Sequence, residues 1–231
     1  MDRHGELGGV NRVVAMRIDA VIFDADGTLV DSEEPGMEVM FEMARAHGVD
    51  LTRAQAFQQF RGSRMADCVA WIAAQLPSTS PAFEADFTLQ VRRQMELRFR
   101  QGLEALPGAL ALLQSLQLPF CVATNGPRAK VELTLGLTGL LPLMGERIFC
   151  AYEVGSFKPD PGLFLHAAQA LGAQPRHCAV VEDSLPGVQA GLAADMQVFC
   201  LHPREGMPAE MAERVVFIDG LAALQPFFTQ H

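Results

Sequence analysis

At 231 residues and 49% hydrophobic, the chain is long enough to bury a full core and a second, smaller one. A formal net charge of −9 with no basic cluster argues against nucleic acid or an anionic membrane surface as partner. An anionic substrate would therefore need positive charge supplied locally, by a few placed Lys and Arg or by a metal ion.

Residues 1–16, MDRHGELGGVNRVVAM, are polar and Gly-rich and lack the apolar stretch of a secretion signal. They are expected to form a flexible leader, with Met16 a candidate start. The first apolar run, 18–23, predicts a strand that ends in D-A-D-G-T. From Glu33 to about Glu104 no strand signal follows. Met37, Met40, Phe41 and Ala44 repeat at three to four residues, as do Val69, Ile72, Ala73 and Leu76, and 81–100 reads as one long helix. This interval, 33–104, is predicted to be an all-helical cap of four helices inserted over the sheet edge. The chain returns through Leu106-Pro107-Gly108. Further strands are predicted at 119–123, 147–151, 178–181, 197–201 and 215–218, alternating with helices at 108–117, 128–136, 162–171, 187–194 and 220–226. That alternation predicts a doubly wound, Rossmann-like α/β core over 17–32 and 105–231, with a parallel sheet and the site at the carboxyl ends of its strands.

The five cysteines, Cys68, Cys121, Cys150, Cys178 and Cys200, contain no C-x-x-C pair and read as reduced structural thiols in a cytoplasmic protein. No stretch reaches the length of a transmembrane helix. The six histidines show no metal-ligand spacing and are given no catalytic role.

The chemistry gathers at four strand ends. Residues i and i+2 of a strand project to one side, so Asp24 and Asp26 leave the first strand together, and Gly27 frees the backbone to turn. Adjacent carboxylates are tolerable with a divalent cation between them or a proton on one of them. A D-G turn closing a strand is the plainer alternative. The second strand ends in A-Thr124-Asn125-Gly126 before a helix opening at Pro127, where backbone N–H groups and a hydroxyl make an anion cradle. Lys158, in V-G-S-F-K-P-D-P, sits in a rigid loop before a Pro-started helix. V-V-Glu182-Asp183-Ser184 places two more acids. Singly, Lys158 is a surface charge and Thr124-Asn125 a helix cap; together, at successive strand ends, they exceed what turn chemistry explains.

The ordered set D-A-D-G-T-L-V-D-S, A-T-N-G, K-P-D-P and V-V-E-D-S, spread over 18–201, resembles the haloacid dehalogenase superfamily, in its phosphatase branch with a helical (C1-type) cap after the first motif. The resemblance implies a phosphoric monoester hydrolase. Asp24 would be the nucleophile and form an aspartyl-phosphate. Asp26 would protonate the leaving alcohol and then deprotonate water. Mg²⁺ would bind Asp24, the backbone carbonyl of Asp26 and Asp183, with Glu182 as a further or second-shell ligand. Thr124, Asn125 and Gly126 would hold the phosphoryl oxygens, and Lys158 would neutralise charge. Family members that cleave carbon–halogen or phosphonate bonds lack the second acid, so Asp26 favours ester hydrolysis. Related phosphosugar mutases carry a histidine ten residues beyond that acid. Here the position is Gly36, which favours a hydrolase. A catalytically inactive phosphate-binding regulatory protein is the alternative from another class, although every motif residue is present. A dinucleotide-dependent oxidoreductase would want G-x-G-x-x-G after the first strand, and that is absent.

Specificity in this branch lies in the cap, and the matching stretch is Phe60-Arg61-Gly62-Ser63-Arg64. Arg61 and Arg64 are candidates to bind a second anionic group such as a carboxylate. Solvation of a helix start is the plainer reading of both. Met37, Met40 and Met43 are expected in the cap core, and Trp71 is expected to anchor the cap helices. The runs A-T-N-G-P-R-A-K and K-P-D-P-G-L-F-L-H-A-A most resemble bacterial 6-phosphogluconate phosphatases, with phosphoglycolate phosphatase-like members nearby. The expected partner is a small phosphate ester, bound by a monomer or weak dimer.

Overall fold

The computed structural model describes residues 17–61 and 63–228, so the expected leader lies outside the described residues. Six strands, β1 (Ala20–Phe23), β2 (Phe120–Thr124), β3 (Ile148–Cys150), β4 (Cys178–Glu182), β5 (Gln197–Cys200) and β6 (Val216–Phe217), form one sheet in the order β3-β2-β1-β4-β5-β6. Every pairing is parallel, with Val21 opposite both Phe120 and Ala179. Each predicted strand is present, to within one or two residues at its ends.

Burial explains the composition of the central strands. All of β1, β2 and β4 is buried, so apolar residues are needed on both faces. The period of two divides β1 between two cores. Val21 and Phe23 pack on one face with Leu112, Val131, Leu135 and Phe199. Ala20 and Ile22 pack on the other with Phe164, Val180, Val188 and Val198. All five cysteines are buried and free, filling small apolar positions.

Four helices, α1 (Glu33–Ala46), α2 (Arg53–Phe60), α3 (Met65–Gln75) and α4 (Phe83–Phe99), make up the inserted cap. They enclose a third core containing Met40, Ala44, Phe60, Val69, Ile72, Phe87 and Val91. α2 opens with a capping box: Gln55 N–H donates to Thr52 Oγ1 and Thr52 N–H donates to Gln55 Oε1 at 2.8 Å. Trp71 is half-buried and meets Phe60 edge-to-face at 5.7 Å. The core helices α5 (Ala109–Ser115), α6 (Arg128–Leu137), α7 (Gly162–Ala170) and α8 (Leu185–Ala193) cover the sheet. The predicted last helix, 220–226, is instead a 3₁₀ turn, Leu221–Leu224, running into one α-turn, Gln225–Phe228. Among the described residues three further single α-turns, Leu141–Met144, Ala151–Val154 and Ala209–Ala212, and a 3₁₀ turn, Pro175–His177, are too short for periodicity to reveal.

The strand order reverses at β1. The chain moves outward through β2 and β3, then crosses back to place β4 on the other side of β1. Loops leaving the carboxyl ends of β1 and β4 therefore diverge and open a crevice, the position where such sheets bind ligands. The cap lies over this crevice.

Candidate active site

Asp24 is the first residue beyond β1. Its N–H donates to Val181 O at 3.0 Å, so β4 holds its backbone in place. Gly27 turns the chain with φ +79°, where a Cβ would stand 2.1 Å from Asp183 Oδ2. Only glycine lets the β1 loop lie this close to the β4 acid.

Lys158 reaches the same point from the loop after β3. Its side chain is 3% exposed, and Nζ donates to Asp24 Oδ1 at 2.5 Å and Glu182 Oε1 at 2.6 Å. The other oxygen of Glu182 accepts from Asp183 N–H, Ser184 N–H and Ser184 Oγ at 2.8–3.1 Å. Both oxygens of Glu182 are thus engaged, and its carboxylate serves as an anchor for Lys158 and for the start of α8. Asn125 holds the other side of the lysine loop: its Nδ2 donates to Lys158 O at 3.2 Å, and Lys158 N–H donates to its Oδ1 at 2.9 Å. The Asn125 side chain is therefore committed to the lysine loop. Thr124 is buried, and its hydroxyl accepts from Gly126 N–H at 3.0 Å.

Three contacts were not assigned from sequence. Lys130 Nζ lies 2.8 Å from Asp26 Oδ2, Ser32 Oγ donates to Asp26 Oδ1, and Thr28 Oγ1 donates to Asp183 Oδ1 at 3.0 Å. All three residues stand inside motifs already singled out. The available signal for Lys130 was its place in the first turn of a helix that opens at a strand end.

The electrostatics separate the two acids of the first motif. Burial raises the Asp24 carboxyl to about 7, with Glu182 and Asp26 adding to the rise against the pull of Lys158. Burial also raises Asp183 well above the carboxylate range, reinforced by Glu182 and Asp24. Asp26 moves the other way: burial alone would raise it, but Lys130, Ser32 and Lys158 together hold it below its ordinary value. Lys158 is raised because Asp24 and Glu182 outweigh its burial.

Among the described residues no group of three or more His, Cys, Asp or Glu side chains is assembled for a metal ion. The donor set nevertheless suits Mg²⁺. Asp24 and Asp183 are two hard carboxylates that burial raises, with Asp24 adding to the rise of Asp183, and the Asp26 backbone carbonyl is a further hard oxygen two residues beyond Asp24.

Asp24, Asp26, Thr124 and Lys158 line a cavity of about 780 Å³, whose cap-side wall includes Met37, Met40, Met95 and Phe99. Met40 also belongs to the cap core, whereas Met43 packs at its edge and does not line the cavity. Gly36 lines the cavity too; a Cβ there would lie 3.5 Å from Met95 Cε. The two cap arginines assigned from sequence divide. Arg64 reaches the cavity, but its guanidinium is already paired with Asp67 at 2.8 and 3.0 Å. Arg61 lies outside the lining, 3.7 Å from Glu33. Gly62 lies outside the described residues.

The family model of haloacid dehalogenase-like hydrolases matches residues 18–195. The chain belongs to this family. A 6-phosphogluconate phosphatase of Escherichia coli K12 is 35% identical over 189 residues, 81% of this chain and 85% of that protein. Hexitol phosphatase A of the same organism is 32% identical over 198 residues, 84% and 87% of the two chains. Among solved structures, a haloacid dehalogenase-family hydrolase of Deinococcus radiodurans R1 with bound phosphate and sodium superposes with TM-score 0.72 at 30% identity, covering 94% of this chain and all of that one. CbbY of Rhodobacter sphaeroides, in complex with xylulose 1,5-bisphosphate, superposes with TM-score 0.77 at 21% identity and shares the fold. As a haloacid dehalogenase-like hydrolase with a second acid two residues after the first, the protein is a phosphoric monoester hydrolase. No helix among the described residues is long and apolar enough to cross a membrane.

Proposed function

We propose that this haloacid dehalogenase-like hydrolase removes phosphate from a small phosphorylated sugar acid of the 6-phosphogluconate type, through an aspartyl-phosphate on Asp24. The observation that carries the reading is the buried chain Asp24–Lys158–Glu182, with Asp26 beside it, at the floor of a cavity roofed by the cap. The 35% identity to a 6-phosphogluconate phosphatase supports the substrate class.

Asp24 attacks phosphorus, and Lys158 pulls its carboxylate towards the ionised form and neutralises charge as the phosphoryl group transfers. The Thr124 hydroxyl, oriented by Gly126 N–H, and the backbone N–H of Asn125 receive the phosphoryl oxygens. Mg²⁺, when held by Asp24, Asp183 and the Asp26 carbonyl, supplies Lewis-acid neutralisation of the phosphoryl charge. Asp26 gives a proton to the leaving oxygen, then takes one from the water that hydrolyses the intermediate. Paired with Lys130, Asp26 is an anion and suited to the base step. To act first as an acid it must leave that pair, and an arriving phosphate competes with it for Lys130. Glu182 acts through Lys158 and not on substrate.

The test is phosphate release with Mg²⁺ from a panel of esters that includes 6-phosphogluconate, phosphoglycolate, hexose phosphates and nucleoside monophosphates. Preferred turnover of 6-phosphogluconate, lost by a factor on the order of 10⁴ or more in Asp24→Asn protein, is the expected result. Near wild-type turnover in that variant would sink the nucleophile assignment. Equal turnover across the panel would reject the sugar acid.

A further inference from the structure

Arg92 and Arg93 stand side by side on α4, and both line the cavity. Arg92, Met95 and Phe99, spaced i, i+3 and i+7, form one row of the helix surface on the cavity wall. Phe99 is packed into the sheet-side core where the chain returns from the cap. The helical rise therefore sets Arg92 about 10 Å further along the wall.

Charge distinguishes these two residues from the other arginines of the cap. Arg45, Arg53, Arg61, Arg64, Arg98 and Arg100 each have a carboxylate within 4 Å. Among the described residues, neither the Arg92 nor the Arg93 side chain has a hydrogen-bond or ion-pair partner. The other cations lining the cavity are engaged: Lys158 with Asp24 and Glu182, Lys130 with Asp26, Arg64 with Asp67. The cavity also holds Asp24, Asp26, Asp183, Glu33 and Glu96, within a chain of net charge −9. A substrate with two anionic groups can place one on the phosphoryl cradle, but the second needs a cation that gives up no existing pair. Only Arg92 and Arg93 offer that along the described lining. Planar guanidiniums bind carboxylates through paired, charge-assisted hydrogen bonds.

We infer that Arg92 and Arg93 are the specificity-determining pair of this enzyme, receiving a substrate carboxylate remote from the phosphate, in place of Arg61 and Arg64. The inference rests on the phosphatase reading above and names the cap residues that select among phosphate esters. Removing either fork from its present carboxylate partner is unnecessary here, whereas Arg64 would first have to leave Asp67.

Binding to full-length Asp24→Asn protein, measured by calorimetry with Mg²⁺, tests it without turnover. The probes are 6-phosphogluconate and sorbitol 6-phosphate, open-chain phosphates that differ in the carboxylate. The parent is expected to prefer 6-phosphogluconate, and adding Arg92→Gln with Arg93→Gln is expected to cut that preference roughly tenfold. Because both side chains are exposed, the preference should also shrink as salt rises. A preference kept in the double variant, or one lost instead on Arg61→Gln with Arg64→Gln, would overturn the assignment. A parent that binds both esters equally would overturn it while leaving the phosphatase reading in place. A folded parent that binds neither ester nor inorganic phosphate would overturn both. Thermal melts of each variant separate loss of binding from loss of fold.

Discussion

Asp24 and Asp26 are two residues apart and chemically alike, yet their surroundings drive them in opposite directions. Asp24 is enclosed by protein and by other acids, so burial raises it to about 7 even against Lys158. Asp26 is held low by Lys130 and Ser32. One fold thus gives two carboxylates different protonation behaviour at the same pH; the nucleophile role of Asp24 then calls for a cation beside it, and the acid role of Asp26 for release from Lys130. Lys130→Met should release Asp26 upward, because its largest lowering partner is gone. The alkaline limb of the kcat/KM profile, where Asp26 loses the proton it donates, is then expected to move to higher pH, and an unshifted limb would remove Lys130 from any role in tuning Asp26. The variant should leave the Asp24–Lys158 contact in place, since Lys130 touches neither group in that pair.

At the scale of elements, the site depends on how closely β4 and the start of α8 approach each other. Ser184 caps α8 by accepting from Gly187 N–H at 3.2 Å, and its own hydroxyl donates to Glu182. Gly187 sits so close that a Cβ would fall 1.9 Å from the Glu182 carboxylate. Gly187→Ala therefore has to move either the first turn of α8 or the Glu182 side chain. Overpacking of this kind costs about 1–3 kcal/mol. The expected result is a lower denaturant midpoint with unchanged m, together with reduced kcat because Lys158 loses its anchor. A variant as stable and active as the parent would mean that α8 can shift without consequence for the lysine. Gly191 makes a similar approach farther along the helix, against Val198 on β5, so α8 lies tightly on the sheet throughout.

For the whole molecule, the buried acids make stability depend on pH and on metal. Asp24 and Asp183 are raised in the folded state, so the folded protein binds protons more tightly than the unfolded chain there. Their contribution is fully present below the ordinary carboxylate value of 3.8 and is lost as pH rises towards about 7 for Asp24. Asp26 has the opposite sign: its contribution is present above 3.8 and is lost as pH falls through its depressed value. Metal-free protein is accordingly expected to lose thermal stability between about pH 4 and pH 7. Added Mg²⁺ should raise Tm little at pH 5 and increasingly towards pH 8, because it binds the ionised carboxylates and displaces their protons. A Tm gain independent of pH would argue that Asp24 and Asp183 are not both ligands. Asp24→Asn should flatten the same pH dependence by removing one of the two raised acids.

Much of the architecture was legible because it rests on local periodicity. Apolar runs such as Ala20–Phe23 and Cys178–Glu182 are buried on both faces, and such strands carry an uninterrupted signal. Single helical turns such as Ala151–Val154 carry too few residues for a 3.6 period to register. In the site, Asp24, Thr124, Lys158 and Asp183 were legible because each ends a strand or opens a loop at the carboxyl edge. Lys130 and Ser32 were not assigned a partner, because which side chains meet across separate loops is set by how β1 and α6 pack. Arg61 and Arg64 stand around a glycine in the cap stretch that the family resemblance points to, and neither resemblance nor spacing carries information about which guanidiniums a neighbouring Asp or Glu has already paired.

From its sequence alone, this chain determines a parallel α/β core with an inserted helical cap, four chemical motifs at strand ends, and a second acid suited to ester hydrolysis. The core, the cap and the motif positions follow from residue type and period, which act over a few positions, and the ester-hydrolysis reading of the second acid follows from the family resemblance. Tertiary structure alone decides that Glu182 faces Lys158, that Asn125 clasps the lysine loop, and that Asp26 pairs with Lys130. It also decides which cap arginines meet the cavity without a partner. These depend on side chains from distant segments converging at the reversal in strand order, where burial and charge act over a few ångströms and no local pattern in the chain records the outcome.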